Sequence, residues 1–330
     1  MAFNLRTIVI GLPLLALGCA GAFAQSNSAG NIGDYPSRPL RFITGFLPGG
    51  VSDTIARVVG EKLGERLGQR VVIDGRPGAG GVLSMEIAAN ATPDGYTLYL
   101  GQPVITISRL SRNKPSFDPI RAFAPVTLLG TGPTMMTVHP SMPVNSVREL
   151  IAYAKARPAG LTFGSSGVGT TNHFSGELLR VMAGIPLIHV PYKGAALNAL
   201  AAIQGEIQIA FLPLAAAITQ VKSGKLKAIA VTGAKRAAVV PNVPTIGETL
   251  PGYRVEAWYG MMVPAKTPRA VIAHLSRETN KVLAAPEVKD TLLKRGIEAE
   301  GSTPEALAQL IREDAVRWEK LVKEGGLKLE

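Results

Sequence analysis

The sequence is short of cysteine: Cys19 is its single cysteine, and it lies in the apolar N-terminal segment. A positive charge, an apolar stretch over 7–17 and the triplet Ala22-Phe23-Ala24 predict a secretory signal peptide over residues 1–24. Cleavage there would leave no cysteine, which excludes disulfides and cysteine-bound metals from the mature chain. Residues 16–19 also form an imperfect lipoprotein box, so lipid anchoring through Cys19 is the alternative.

Long apolar runs are missing after this segment, so the sequence predicts no later membrane-spanning helix. Aromatic residues make up 5%, and the net charge of +11 is spread without a run of five basic residues. Nucleic-acid binding usually needs a clustered basic face and stacking aromatics, so we predict no nucleic-acid partner. Four histidines without H-x-H or H-x-x-x-H spacing also argue against a metal site, and the sequence suggests no cofactor.

Signs of catalysis are equally few. His173 follows Ser165 and Ser166 closely, but the chain has no G-x-S-x-G nucleophile elbow and no obvious acid to orient the imidazole. We therefore predict that the protein is not an enzyme.

What the sequence does contain is an alternation of strand and helix patterns in two series, followed by a helical C-terminal part. Such alternation predicts parallel sheets flanked by helices, and the 306 residues after the signal peptide (330 minus 24) suffice for two domains. The predicted strands are 41–46, 71–74, 97–100, 161–163, 188–191, 207–211, 228–232 and 259–263. The predicted helices are 52–67, 82–90, 146–155, 174–182, 195–203, 215–222, 268–283, 286–295 and 303–323.

The loop 46–53 joins the first strand to the first helix and contains Gly49 and Gly50. Free N–H groups and the positive end of the dipole allow a helix start to bind an anion, and glycines let a ligand approach the backbone. We expect Ser52 to be the N-cap. Ligands of open α/β sheets lie beyond the carboxyl ends of the strands, so 75–81 and Gly101-Gln102 should share this edge.

The second series has its own glycine-rich helix start at 164–173. Its hydroxyl groups and backbone donors suit a carboxylate. It lacks the Gly-Lys-Ser/Thr of a P-loop, and Asn172 stands where a dinucleotide fingerprint requires its third glycine. A purely structural turn remains the alternative for both loops.

A series of motifs resembles one known family, from about Tyr35 to near the C-terminus and in order. The motifs are Y-P-S-R-P at 35–39, F-x-P-G-G-x-x-D at 46–53, D-G-R-P-G-A-G-G at 74–81, P-D-G-Y-T-L at 93–98, G-S-S-G-x-G-T at 164–170 followed by His173, V-P-Y-K-G at 190–194, S-G-K-L-K-A-I-A-V-T at 223–232, P-x-V-P-T at 241–245 and P-G-Y at 251–253. They resemble the Bug family, the substrate-binding proteins of tripartite tricarboxylate transporters.

The resemblance implies an α/β, two-lobed type II periplasmic-binding-protein fold, each lobe a mostly parallel sheet flanked by helices. Residues 25–140 and 255–330 would form lobe 1, and residues 141–254 an inserted lobe 2. The protein would be a periplasmic monomer without a cofactor that captures a small carboxylate between the lobes and delivers it to membrane transporter subunits. The alternative is a sensor that presents the bound carboxylate to a signalling receptor.

The family motifs also imply which residues bind the ligand. They are Phe46, Pro48, Gly49, Gly50, Ser52, Asp53, Gln102, Ser165, Ser166, Gly167, Gly169, Thr170, His173, Tyr192, Lys193 and Gly194. The chain departs from the family at Leu212-Pro213-Leu214, where relatives often carry Asp or Asn, and at Ala122, where an acid is common. We therefore expect an apolar wall in the cleft at 212–214.

Overall fold

Strands and helices alternate along the computed structural model, which describes Met1 and residues 32–46, 49–111 and 114–325. Residues 2–24 of the predicted signal peptide, which include Cys19, and Pro48 lie outside the described residues. The strands are Leu40–Thr44 (β1), Val71–Gly75 (β2), Thr97–Gly101 (β3), Phe123–Val138 (β4), Leu161–Ser165 (β5), Leu187–Pro191 (β6), Ile209–Pro213 (β7), Lys227–Val231 (β8), Glu256–Pro264 (β9) and Glu298–Ala299 (β10). The helices are Val51–Leu67 (α1), Val82–Ala89 (α2), Val104–Ile107 (α3), Val147–Lys155 (α4), Thr171–Ala183 (α5), Ala195–Ile203 (α6), Leu214–Lys222 (α7), Arg269–Ala284 (α8), Pro286–Leu293 (α9) and Pro304–Gly325 (α10).

Helix α1 shows how the pattern of the sequence becomes structure. Its apolar stripe, including Ile55, Val59 and Leu63, is fully buried against the sheet. The helix ends as predicted at Gly68, which has a φ of 66° and donates its N–H to the Gly64 carbonyl. Gly60 allows close packing, because a Cβ there would lie only 3.0 Å from the Ile73 side chain of β2.

The strands form one mixed sheet in the order β2-β1-β3-β9-β4-β7-β5-β6, with β8 and β10 also paired to β4. Pairs β1–β2, β1–β3, β5–β6 and β5–β7 are parallel. Strands β4 and β9 run antiparallel to their neighbours and join the two parallel sets.

The 16-residue strand β4 is the main element that the sequence did not predict. It contains Pro125, Gly130, Gly132 and Pro133, which interrupt a strand pattern, and yet most of its side chains are buried. From Phe123 to Pro133 it pairs with β9, and from Thr134 to Val138 it pairs with β7. Its partners therefore change at Pro133/Thr134, while the predicted lobe boundaries at 140/141 and 254/255 stay a prediction.

Buried apolar side chains form separate clusters on the two parallel sets of strands. One cluster includes Phe42, Leu98 and Leu283, and another includes Phe163, Phe174 and Trp318. The C-terminal helix α10 contributes to both sets, because Leu307 and Ile311 pack beside β3 and β9 residues whereas Trp318 and Leu321 pack with the Phe163 cluster. Helix α10 thus spans the two halves of the sheet.

Candidate functional site

The parallel register places the ends of three strands at one edge in each half of the sheet. Leu40–Thr44 is in register with Val71–Gly75, and β3 lies on the other side of β1. In the second half, β5 is flanked by β6 and β7 in the same parallel sense. The predicted binding loops all follow these carboxyl ends, which is where open α/β sheets bind ligands.

The first loop differs from the prediction at its cap. Helix α1 begins at Val51 with Gly50 as N-cap, so Ser52 is the second helical residue and is buried. The expectation that Ser52 is the N-cap was therefore wrong. The Asp53 carboxylate closes the loop instead: it accepts from the Gly49 N–H at 3.0 Å and from Arg57 Nε at 2.9 Å. The Arg57 hydrogen bond lowers the pKa of Asp53, so this carboxylate stays ionised at neutral pH.

The glycine loop at 75–81 packs against the first loop. A Cβ on Gly45 would lie 3.2 Å from the Gly81 Cα, so Gly45 lets two backbone segments approach closely. A Cβ on Gly81 would lie 3.7 Å from the ring of Phe46 and 3.6 Å from Val104 of α3. The segments that follow β1 and β3 thus both lie close to Gly81 in the segment that follows β2.

In the second glycine loop, Ser165 is fully buried and its hydroxyl serves the loop itself. Ser165 Oγ accepts from the Gly167 N–H at 3.1 Å and lies 2.7 Å from His189 Nε2. Thr170 Oγ1 donates to the Gly167 carbonyl at 2.7 Å and caps α5 by accepting from the His173 N–H at 3.4 Å. This cap explains why α5 begins at Thr171, three residues before the predicted start.

His173 is buried and forms a hydrogen bond with the backbone of the second glycine loop. Its Nδ1 accepts from the Gly169 N–H at 3.2 Å, which places the ring proton on Nε2. The ring stacks on His189 with centroids 3.9 Å apart, and Phe163 lies beyond it at 5.0 Å from His189. Burial, with a smaller effect of His189, lowers the pKa of His173 to about 3, and burial lowers the pKa of His189 to about 4. Both rings are therefore neutral at physiological pH.

Two asparagine side chains next to this loop bind the same backbone carbonyl of β7. Asn172 Nδ2 donates to Ser166 Oγ at 3.0 Å and to the Phe211 carbonyl at 2.9 Å. Asn198 Nδ2, from α6, donates to the same carbonyl at 2.9 Å. The Ser166 hydroxyl accepts here and keeps its own proton, so of the hydroxyls in this loop it is the one best placed to donate to a ligand.

The two halves of the site meet through α3. A Cβ on Gly169 would lie 3.6 Å from the Ile107 side chain, and one on Gly167 would lie 3.6 Å from the Tyr192 carbonyl. A series of close approaches therefore leads from Phe46 through Gly81 and α3 to the second glycine loop and Tyr192. The structure brings the predicted segments together, but whether each predicted residue touches a ligand stays a prediction.

The outer rim carries the remaining predicted residues. Gln102 is half-buried, and its carbonyl accepts from Ile105 at the start of α3. Tyr192 is half-buried, Lys193 is exposed, and Gly194 is the N-cap of α6 with a φ of 108°. Burial raises the pKa of Tyr192, so its hydroxyl stays protonated.

Basic side chains near the other loops are already paired. Arg57 pairs with Asp53 at 2.9 Å, and Arg76 pairs with Asp74 at 2.8 Å. In addition, no group of three His, Cys, Asp or Glu side chains within the described part of the chain could hold a metal ion. The arrangement is suited to binding an anion by backbone N–H groups at the starts of α1 and α5.

Comparison with known proteins connects this geometry with one family. Residues 55–327 match the TctC family, described as "Tripartite tricarboxylate transporter family receptor". The chain belongs to this receptor family. Protein BugT of Bordetella pertussis is 30% identical over 325 residues, which cover 98% of each chain.

Two solved structures of the receptor family type resemble this one closely. An R. palustris protein with adipate is 33% identical and has a TM-score of 0.82, covering 89% of this chain and 99% of its own. MatC from Rhodopseudomonas palustris with bound malate is 30% identical with a TM-score of 0.77, covering 87% of this chain and 100% of its own. The resemblance to the Bug family and the α/β periplasmic-binding-protein fold are thus confirmed. Within the described residues of this family member, no helix is both long and apolar enough to span a bilayer.

The expected apolar wall of this receptor is largely buried in the core. Strand β7 continues to Pro213, two residues beyond its predicted end, and Leu212 is fully buried in a cluster with Met135 and Val231. Leu214 is also buried, and a Cβ on Gly296 would lie 2.7 Å from it. The expectation that all of 212–214 lines the cleft was wrong, and Pro213 is its one half-buried residue.

Sequence reasoning missed α3 and the two amides of the receptor's site. Val104–Ile107 is a four-residue helix made of β-branched residues, so its composition resembles a strand. In the sequence, Asn172 is distinctive only because a dinucleotide fingerprint has glycine at that position. Its hydrogen bond to the Phe211 carbonyl depends on β7, 39 residues later. No local pattern contains that contact.

Proposed function

We propose that this receptor captures a small carboxylate-containing ligand between two lobes in the periplasm and delivers it, unchanged, to a tripartite tricarboxylate-type membrane transporter. The observation that carries the proposal is that two glycine-rich helix starts, at α1 and α5, follow parallel strands, with Gly81 and α3 between Phe46 of the first loop and Gly169 of the second. Each supplies backbone N–H groups without a helical partner and the positive end of a helix dipole. The similar proteins with adipate and malate support a ligand of this class.

The proposed site holds a carboxylate mainly with neutral donors. Arg57 and Arg76 are engaged by neighbouring acids, and Lys193 lies exposed on the rim. The Ser166 hydroxyl and the first N–H groups of α5 are the best-placed donors of the second loop. Each neutral hydrogen bond contributes on the order of 1 kcal/mol net, so several in a cleft closed to water suffice for about micromolar affinity.

The proposed lobes keep the predicted boundaries at 140/141 and 254/255, and β4 exchanges β9 for β7 shortly before the first of them, at Pro133/Thr134. Strand β9 runs beside the first part of β4 and follows the loop after Tyr253, so two neighbouring strands would form the connection. Closure about this connection would bring α1 and α5 onto opposite ends of the ligand. Because the proposed function is binding without chemical conversion of the ligand, it requires no catalytic group in the site.

Calorimetric titration with adipate, malate and adipamide at two salt concentrations tests this function. We expect adipate or malate to bind with micromolar affinity and adipamide, which has no charge, to bind far more weakly. Affinity should change little between low and moderately high salt, since backbone donors in a closed cleft are weakly screened. Absence of binding to a wider panel of carboxylates, or conversion of a bound acid to a product, would refute the proposal.

A further inference from the structure

Helix α10 carries a buried carboxylate outside the predicted site. Asp314 is 5% exposed, although an ionised side chain is costly to bury unless hydrogen bonds satisfy it. Its Oδ2 accepts from Thr106 Oγ1 at 2.6 Å and from Trp258 Nε1 at 3.1 Å. The two donors lie 208 and 56 residues away along the chain, so this carboxylate ties together three distant segments.

The Thr106 donor belongs to α3, the segment through which the two halves of the candidate site meet. Thr106 is fully buried, and its hydroxyl also lies 2.8 Å from the Pro103 carbonyl. A hydroxyl has one proton, and a carboxylate is the stronger acceptor, so the Asp314 bond should dominate. The next residue, Ile107, lies beside the second glycine loop, since a Cβ on Gly169 would be 3.6 Å from its side chain.

A second contact joins the same segment to α10. Arg109, two residues after Ile107, pairs with Glu319 at 2.9 Å. This pair is partly exposed and therefore weak by itself, but like the Asp314 bond it joins the α3 segment to α10. Helix α10 itself packs against both halves of the sheet, through Ile311 in its N-terminal half and Trp318 in its C-terminal half.

From these contacts we infer that Asp314 is a positioning residue for the candidate site: through Thr106 it fixes α3 against the glycine loop at Gly169. Helix α10 thereby sets the spacing of the two ligand-binding faces although none of its side chains was predicted to touch the ligand. The consequence for affinity rests on the proposed function, whereas the positioning of α3 does not.

Hydrogen exchange of the ligand-free, full-length protein, followed by mass spectrometry, tests the inference directly. In Asp314→Asn we expect peptides covering 104–110 to exchange about 10- to 100-fold faster, which is the effect expected when a hydrogen bond to a charged group is lost. The exchange rate of β1 should not change. Thr106→Val removes the same bond from the other side and should give the same local change. The double variant should exchange no faster than the faster single variant, because both changes remove one interaction.

Trp258→Phe is the matched control, since it removes the other donor to Asp314 Oδ2 and leaves the Thr106 bond in place. In this variant, peptides covering 104–110 should exchange at the wild-type rate. Uniformly faster exchange along the whole chain in Asp314→Asn and Thr106→Val would show a purely structural role and overturn the inference. Unchanged exchange at 104–110 in Thr106→Val would overturn it as well, even if Asp314→Asn failed to fold.

Titration with adipate and malate separates this inference from the proposed function. If the wild type binds either acid, Thr106→Val should bind it about tenfold or more weakly, with Trp258→Phe close to wild type. Wild-type affinity in Thr106→Val would overturn the role of α3 positioning in binding. If the wild type binds no carboxylate, the proposed function fails, and the exchange experiment alone decides whether Asp314 positions α3.

Discussion

Gly169→Val separates a binding role of the second glycine loop from a structural one. Gly169 has a φ of 77°, a left-handed conformation in which a β-branched residue is strongly disfavoured. The strain costs about 1–3 kcal/mol. The new Cβ would lie 3.6 Å from Ile107, so the γ-methyl groups would press against α3. We therefore expect the loop and α3 to move apart.

Gly184→Val is the matched control because it introduces the same strain at the other end of α5. Gly184 has a φ of 59°, and a Cβ on it would have nothing within 4 Å. Both variants should lower the melting temperature by about 2–6 °C, as 1–3 kcal/mol does in a domain of this size. Only Gly169→Val should weaken carboxylate binding, by at least about tenfold, which a loss of roughly 1.4 kcal/mol corresponds to.

Differential scanning calorimetry and binding titration on the same preparations check this prediction. Equal affinities of the two variants would refute the reasoning, because they would show that the loop tolerates the change without affecting the ligand. Unfolding of Gly169→Val alone, with Gly184→Val intact, would favour a structural turn and contradict the binding interpretation.

Two further predictions concern the packing and the acid stability of the second half. Gly176→Ala should lower the free energy of unfolding by about 1–3 kcal/mol in urea titrations, because its Cβ would overlap the Phe163 ring; a wild-type midpoint would contradict this. Acidification from pH 6.5 to about 4 should lower the free energy of unfolding. Burial lowers the pKa of His173 to about 3 and that of His189 to about 4, so in this range the unfolded chain binds protons that the folded chain does not. Urea titrations across this range should show a shallower loss in His189→Phe, and an unchanged slope would refute the assignment.

The positions of most helices and strands could be predicted from the sequence, because each is encoded within a short window. The stripe of α1 and its glycine cap are such cases, and so is α6, whose bounds agree with the prediction. The order of the motifs also sufficed to recognise the family. The loops that follow the strands could be placed at one edge because parallel strands end on the same side.

Only the tertiary structure decided which groups in these loops remain available to a ligand. Ser165 and Thr170 are polar residues in the sequence, but their hydroxyls are engaged by the loop, and His173 is a buried neutral acceptor. Strand β4 forms despite its prolines and glycines because β9, β7 and β8 satisfy its backbone, and those partners come at least 70 residues later. The Asp314 contact with α3 is likewise long-range, so a local pattern, which reports periodicity and composition, contains no trace of it.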